Sequence, residues 1–169
     1  MPGPAISALA LQEHLAYTVW ASTRLLSAAA QLSERELGHD FKTADRSVVG
    51  TLAHIFAADR VWLGRIKQRP PSIFISPQDK NLAVLQEQWP GLHAAWIQWA
   101  ADLTDQSVQG VLSYQDLKGN PWTQPMWQIV LHVVNHATHH RGQVSGFLRA
   151  LGRTPPTLDL IAFYREKLC

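Results

Sequence analysis

Cysteine is almost missing: the chain of 169 residues has one, Cys169. That excludes an intrachain disulfide and a cysteine-built zinc site, and points to an intracellular chain. Long hydrophobic runs are lacking too. No apolar stretch reaches the roughly 20 residues a helix needs to cross a bilayer. The opening Met-Pro-Gly-Pro has no basic region followed by an apolar run, so no secretory signal is expected and the expected location is the cytoplasm. Charge of one sign is also scarce: 15 Lys and Arg stand against 13 Asp and Glu, a net charge of +2. That is too weak and too scattered for a nucleic-acid surface. What remains is an ordinary globular composition, 46% hydrophobic and 17% charged, with an excess of tryptophan (seven) and histidine (eight). The length fits a single domain over residues 1–169, large enough to bury a core without covalent staples.

The apolar spacing is helical over most of the chain. Leu11, Leu15, Val19, Leu25, Leu26 and Ala29 predict a first helix over residues 5–31. The polar stretch 33–46 reads as a crossover loop. Ser47 is placed to cap a second helix that runs to about Gln68 and ends before Pro70-Pro71. Leu82, Leu85, Trp89, Leu92, Trp96, Trp99 and Leu103 alternate steps of three and four, the seam of a bundled helix. Pro90-Gly91 within it should kink or break that helix. A second crossover, 104–124, includes Val111–Leu117 as a short strand and Gly119-Asn120 as a turn, so a small hairpin is expected there. Thr123 and Pro125 are placed to open a fourth long helix, which Gly152 stops. After Pro155-Pro156, a further helical turn is expected over 158–165. Four long helices with two long crossovers describe an all-α four-helix bundle, an architecture that commonly houses metal sites in its core.

Four of the eight histidines lie between His132 and His140. His132, His136 and His140 recur every four residues, so on a helix each is turned about 40° from the last and advanced about 6 Å. All three cannot ligate one ion: zinc–nitrogen bonds are about 2.0–2.1 Å, whereas His132 and His140 stand roughly 12 Å apart along the axis. A helical wheel separates them. The apolar face is set by Ile129, Val130, Val133, Ala137, Val144, Phe147, Leu148 and Leu151. His140 lies roughly 30° from its centre, His136 roughly 70°, His132 roughly 110° and His139 roughly 130°. His136 and His140 therefore face inward as a chelating pair, His132 sits at the boundary and His139 faces out. A single inward histidine is usually a hydrogen-bonded core residue; two buried imidazoles four residues apart need partners. A third ligand must come from another segment. His54 sits among small neighbours (Ala53, Ala57, Ala58, Val61) that leave room for facing imidazoles, and His14, beside Glu13, is the alternative. Gly142 and Gly146 read as sites of close helix approach.

The run His-Val-Val-Asn-His-Ala-Thr-His-His-Arg-Gly-Gln, residues 132–143, resembles the signature of the DinB/YfiT-like superfamily of metal-dependent enzymes. Ala-His-Ile-Phe-Ala-Ala-Asp-Arg-Val-Trp-Leu, residues 53–63, is similar to its second-helix motif. The segment 17–26 resembles its first helix, and Pro-Thr-Leu-Asp-Leu-Ile-Ala-Phe-Tyr its closing stretch. Thr18 stands where relatives often carry Asn, so no polar role is carried to that position. The resemblance implies a four-helix bundle holding one divalent metal ion on His54, His136 and His140, and it implies a homodimer.

Three imidazoles leave at least one coordination position open, as catalytic ions require and closed structural zinc sites do not. Neutral imidazoles suit zinc, nickel, copper or iron; zinc is the default expectation, with nickel, iron and manganese as alternatives. The resemblance implies a thiol S-transferase or a hydrolase, acting on a small-molecule substrate with a low-molecular-weight thiol as partner. Glu13, Asp59 and His132 are candidates for a general base. A non-catalytic, stress-induced metal-binding protein is the alternative reading. A DNA-repair role is disfavoured by the absence of any basic stripe or DNA-binding motif.

Overall fold

The computed structural model describes residues 6–168. The expected helix start at residue 5, the Met-Pro-Gly-Pro segment and Cys169 lie outside the described residues. Four long helices form the frame: α1 (Ala8–Ala29), α3 (Val48–Ile66), α4 (Leu82–Ala101) and α6 (Met126–Ala150). Shorter elements fill the connections: α2 (Glu34–Leu37), a 3₁₀ turn (Pro77–Lys80), α5 (Asp105–Gln109), strands β1 (Val111–Gln115) and β2 (Pro121–Pro125), and α7 (Leu160–Glu166). This is the four-helix bundle with a small hairpin that the periodicity predicts.

Helix starts follow side-chain capping. The Ser7 side chain accepts from Ala10 N on α1, and Ser47 accepts from Gly50 N on α3. Each satisfies a donor that the first turn leaves free, for about 1 kcal/mol. The polar stretch 33–46 is not wholly a loop: Ser33 and Glu36 form a reciprocal capping box around α2. Pro90 does not break α4, which continues through it. Gln86, whose carbonyl loses its partner, and Pro90 itself lie on the exposed face of the helix, where the freed group is open to solvent. Thr123 lies within β2 rather than at a helix cap, and the hairpin pairs Val111 with Pro125 through Gln115 with Pro121. Gly119, at φ +84°, makes its turn.

α6 packs against both α1 and α3, and α4 closes the other side against the same two helices. The core divides into two apolar clusters. One joins Leu25, Leu52, Ile55, Phe56, Leu85, Trp89, Val144 and Leu148; the other joins Leu11, Leu15, Tyr17, Leu63, Trp96, Val130 and Val133. A buried polar group comes in from each long helix near their junction: Thr18 and Ser22 from α1, Asp59 from α3, His93 from α4 and Arg141 from α6. Trp89 Nε1 donates to Asp59 Oδ2 at 3.0 Å, and Arg141 donates to Ser22 Oγ at 3.3 Å and Thr138 Oγ1 at 2.8 Å. Burial raises Asp59 to about 7, only partly offset by Trp89 and Arg141, and lowers His93 to about 4.

Gly142 and Gly146 lie on the exposed face of α6, and a Cβ on either would meet nothing within 4 Å. They are not contact points. Close approach occurs at Gly50 instead, where a Cβ would stand 2.1 Å from the Asp45 carbonyl oxygen. That glycine lets the 43–47 turn fold down onto the start of α3, which places Asp45 beside the histidines described next.

Candidate metal centre

His54 is on the second turn of α3, and His136 and His140 are one turn apart on α6; all three are half-buried. One ring nitrogen from each lies within 4.8 Å of the others, the only such group of three or more His, Cys, Asp or Glu among the described residues. His54 Nε2 and His136 Nε2 face each other at 3.0 Å. The rings of His54 and His140 are 4.4 Å apart, and those of His136 and His140 are 4.5 Å apart. The wheel places His136 and His140 inward because Val133, Ala137 and Val144 bury the same side of α6; the structure agrees and adds His54 across the α3–α6 seam.

The rings are oriented from outside the cluster. Asp45 Oδ1 lies 3.3 Å from His54 Nδ1, and Asp45 Oδ2 lies 3.7 Å from His140 Nδ1. Gln143 Oε1 accepts from His140 Nδ1 at 2.7 Å. An acceptor at Nδ1 holds the proton there and leaves the Nε2 lone pair facing the other rings. Phe74 closes one side, edge-on to His54 at 5.4 Å.

Electrostatics keep His54 and His136 neutral. Burial, followed by the charges on His140, His54, His132 and His139, pulls His136 down to about 3. His54 is also lowered, first by burial and then by His140, with Asp45 opposing. Three imidazole nitrogens that converge, backed by a carboxylate and an amide, form a donor set suited to a borderline divalent cation. The cluster can hold one metal ion.

The other sequence candidates lie elsewhere. His14 is on α1, in a groove of about 520 Å³ shared with Tyr17, His132, Asn135 and Leu160. Glu13 is engaged by Lys167 at 2.7 Å. Asp59 is buried against Trp89. His39 packs on Phe41, and His93 lies in the core. His139 is exposed. Of the three proposed bases, His132 is the one beside the cluster, its ring 5.7 Å from His136. It also stands between two grooves, the one with His14 and another of about 270 Å³ lined by Trp62, Tyr114, Gln124, Gln128 and Ile129.

Sequence reasoning missed Asp45 and Gln143. Gln143 carried a signal, since it follows His140 by three residues on the same helix side. Asp45 carried none, because it is placed by a turn in which Lys42 and Arg46 take positive φ angles of 60° and 66°.

Comparison with known proteins agrees with this architecture. Protein DinB of Bacillus subtilis strain 168 is 19% identical over 151 residues, covering 85% of this chain and 87% of that protein. The crystal structure of a DinB-like protein from Bacillus cereus ATCC 10987 matches with a TM-score of 0.69 over 90% of this chain and 98% of that chain, at 17% identity, a likeness of fold. The DinB family model matches residues 7–167, nearly the whole of the described bundle, and the chain therefore belongs to the DinB family.

Proposed function

We propose that the protein binds one divalent metal ion on His54, His136 and His140, with zinc as the default occupant, and that it is a metal-dependent enzyme of the thiol S-transferase or hydrolase type. The observation that carries this reading is the convergence of three ring nitrogens from two helices within 4.8 Å of one another. When bound, the ion supplies Lewis-acid chemistry and an open coordination position for a small molecule.

The chain's own residues supply the rest. Asp45 and Gln143 keep protons on the Nδ1 atoms of His54 and His140 and fix both rings in place. Phe74 packs edge-on against His54 and limits the freedom of that ring. The three histidines are only half-buried, so a small molecule can approach the cluster from solvent, as an enzyme's open site requires and a site buried on all sides does not allow. A low-molecular-weight thiol as co-substrate and a homodimeric assembly belong to the same proposal.

The test is activity. Protein purified without a nickel column is loaded with zinc or nickel and assayed with a panel of thiols and electrophiles, and with ester and amide substrates. Turnover that depends on metal and disappears in H136A supports the reading. Metal binding with no turnover across both panels rejects the enzyme in favour of a non-catalytic metal-binding protein.

A further inference from the structure

A second cluster of chemistry lies past Trp62, where the last turn of α3 meets the hairpin. Arg65 is 8% exposed, yet its guanidinium makes no hydrogen bond or ion pair to any described residue. It is held between two aromatic faces, 4.5 Å from the Trp62 ring and 5.0 Å from the Tyr114 ring. Those rings meet edge to face at 5.0 Å. Cation–π contacts of this kind consume no hydrogen-bond donor, so the guanidinium N–H groups stay unspent. Those donors are open to a groove, where a ligand or solvent can take them.

The donors have somewhere to point. Arg65 lines a groove of about 520 Å³ with Gln68, Ser113, Gln115, Trp122 and Thr123. Asp116, the nearest acid, is already engaged with the Lys118 and Asn120 amides, the Asn120 side chain and Trp122 Nε1. Ser113 and Thr123 are bonded to each other. Arg65 is thus the one charged group that lines the groove.

A chain of ring contacts runs from Arg65 to the histidine cluster. Trp62 stacks edge-on to His132 at 5.2 Å, and His132 lies 5.7 Å from His136. Arg65 to Trp62, Trp62 to His132 and His132 to His136 form a continuous wall of rings from the guanidinium to the cluster.

We propose that Arg65 is a carboxylate-binding subsite: its guanidinium, framed by Trp62 and Tyr114, anchors the carboxylate of an organic substrate whose other end reaches His54, His136 and His140. The second half of that statement rests on the metal-centre reading above; the anchoring does not. A single cation in an otherwise uncharged groove matches the single charge and the planar fork of a carboxylate better than a doubly charged phosphate. Arg65 also stands in the last turn of α3, where a cation offsets the helix dipole. That role calls for charge alone, which lysine supplies equally well; the aromatic clamp calls for a planar guanidinium.

The test uses the full chain, ¹⁵N-labelled, metal-free and zinc-loaded, titrated with 3-phenylpropionate and with its neutral amide. The indole signal of Trp62 and the Nε–H signal of Arg65 are followed by NMR. The carboxylate is expected to shift both signals saturably in both forms of the protein, while the amide shifts neither. R65Q should weaken the carboxylate at least about tenfold, the worth of one charge-assisted pair, and R65K should also weaken it while the chain stays folded, with a melting temperature within a few degrees of the wild type. Equal response to the amide, unaltered affinity in R65K, or inorganic phosphate displacing the probe at equal or lower concentration would each overturn the assignment. Carboxylate binding in a chain that fails to take up zinc would leave the Arg65 subsite standing and remove the metal centre. Zinc uptake without carboxylate binding would do the reverse.

Discussion

Gly50→Ala tests how packing places the metal centre. The added methyl would lie 2.1 Å from the Asp45 carbonyl oxygen, whereas ordinary contact begins near 3.4 Å. The obstacle is main chain, so the turn bearing Asp45 must move out by more than an ångström. Overpacking of this kind costs about 1–3 kcal/mol, and replacing glycine in a helix returns about 0.5–1. The net expectation is a loss of about 1–2 kcal/mol, or roughly 3–6 °C in melting temperature for a chain of this size. The same movement carries the Asp45 carboxylate away from His54 Nδ1 and His140 Nδ1. Loss of such an outer partner typically weakens metal affinity about 10–100-fold. Gly142→Ala is the matched control: it lies on an exposed helical face with nothing within 4 Å of the new methyl, so it should stabilise by about 0.5–1 kcal/mol and leave metal affinity unchanged. Thermal melts and zinc competition with a chromophoric chelator read both effects. If Gly50→Ala melts at or above the wild type and binds zinc equally well, the turn does not position Asp45 as described.

Asp45→Asn should leave the melting temperature within a few degrees and weaken zinc about tenfold, read in the same competition assay, because Nδ1 of His54 loses its charged acceptor. Metal-free protein should lose stability on acidification. His136 and His93 fold with values of about 3 and 4, below the 6.5 of an unperturbed histidine, so the unfolded chain binds more protons between those limits. Their contribution is complete above about pH 6.5 and fades as pH falls toward 3–4, at up to about 1.4 kcal/mol per pH unit for buried His93 and less for the half-buried His136; urea melts across pH 3–8 test this. Asp59→Asn should act in the opposite sense. Asp59 is raised from 3.8 to about 7, so its contribution is present below pH 4 and lost as pH rises through 7. The difference in stability between the variant and the wild type should therefore grow in the variant's favour from pH 4 to 7, and a constant difference in urea midpoint over that range would contradict it.

Much of the bundle was legible because helical burial imposes a period. Leu85, Trp89 and Trp96 in α4 and Val130, Val133, Ala137 and Val144 in α6 lie on the faces their spacing predicts. The same wheel separates His136 and His140 from His132 and His139. It also predicts that Arg141, four residues after Ala137 and three before Val144, is buried, a reading that its charge obscured. What a period cannot express was less accessible. Asp45 reaches the histidines through a turn with two positive-φ residues, and Arg65 meets Tyr114 only because the hairpin folds back on α3. The α2 helix was legible in principle, since Ser33 and Glu36 have capping-box spacing. The survival of α4 through Pro90 depended on which face the proline occupied, a tertiary fact.

The most direct test is calorimetric titration of the chelator-treated full chain with zinc, with His54→Ala, His136→Ala and His140→Ala beside His14→Ala and His132→Ala. The account predicts one ion per chain for the wild type and for the last two variants, and a collapse of affinity in each of the first three. A wild-type chain that takes up no zinc, or takes it up equally well without His54, His136 or His140, would contradict it.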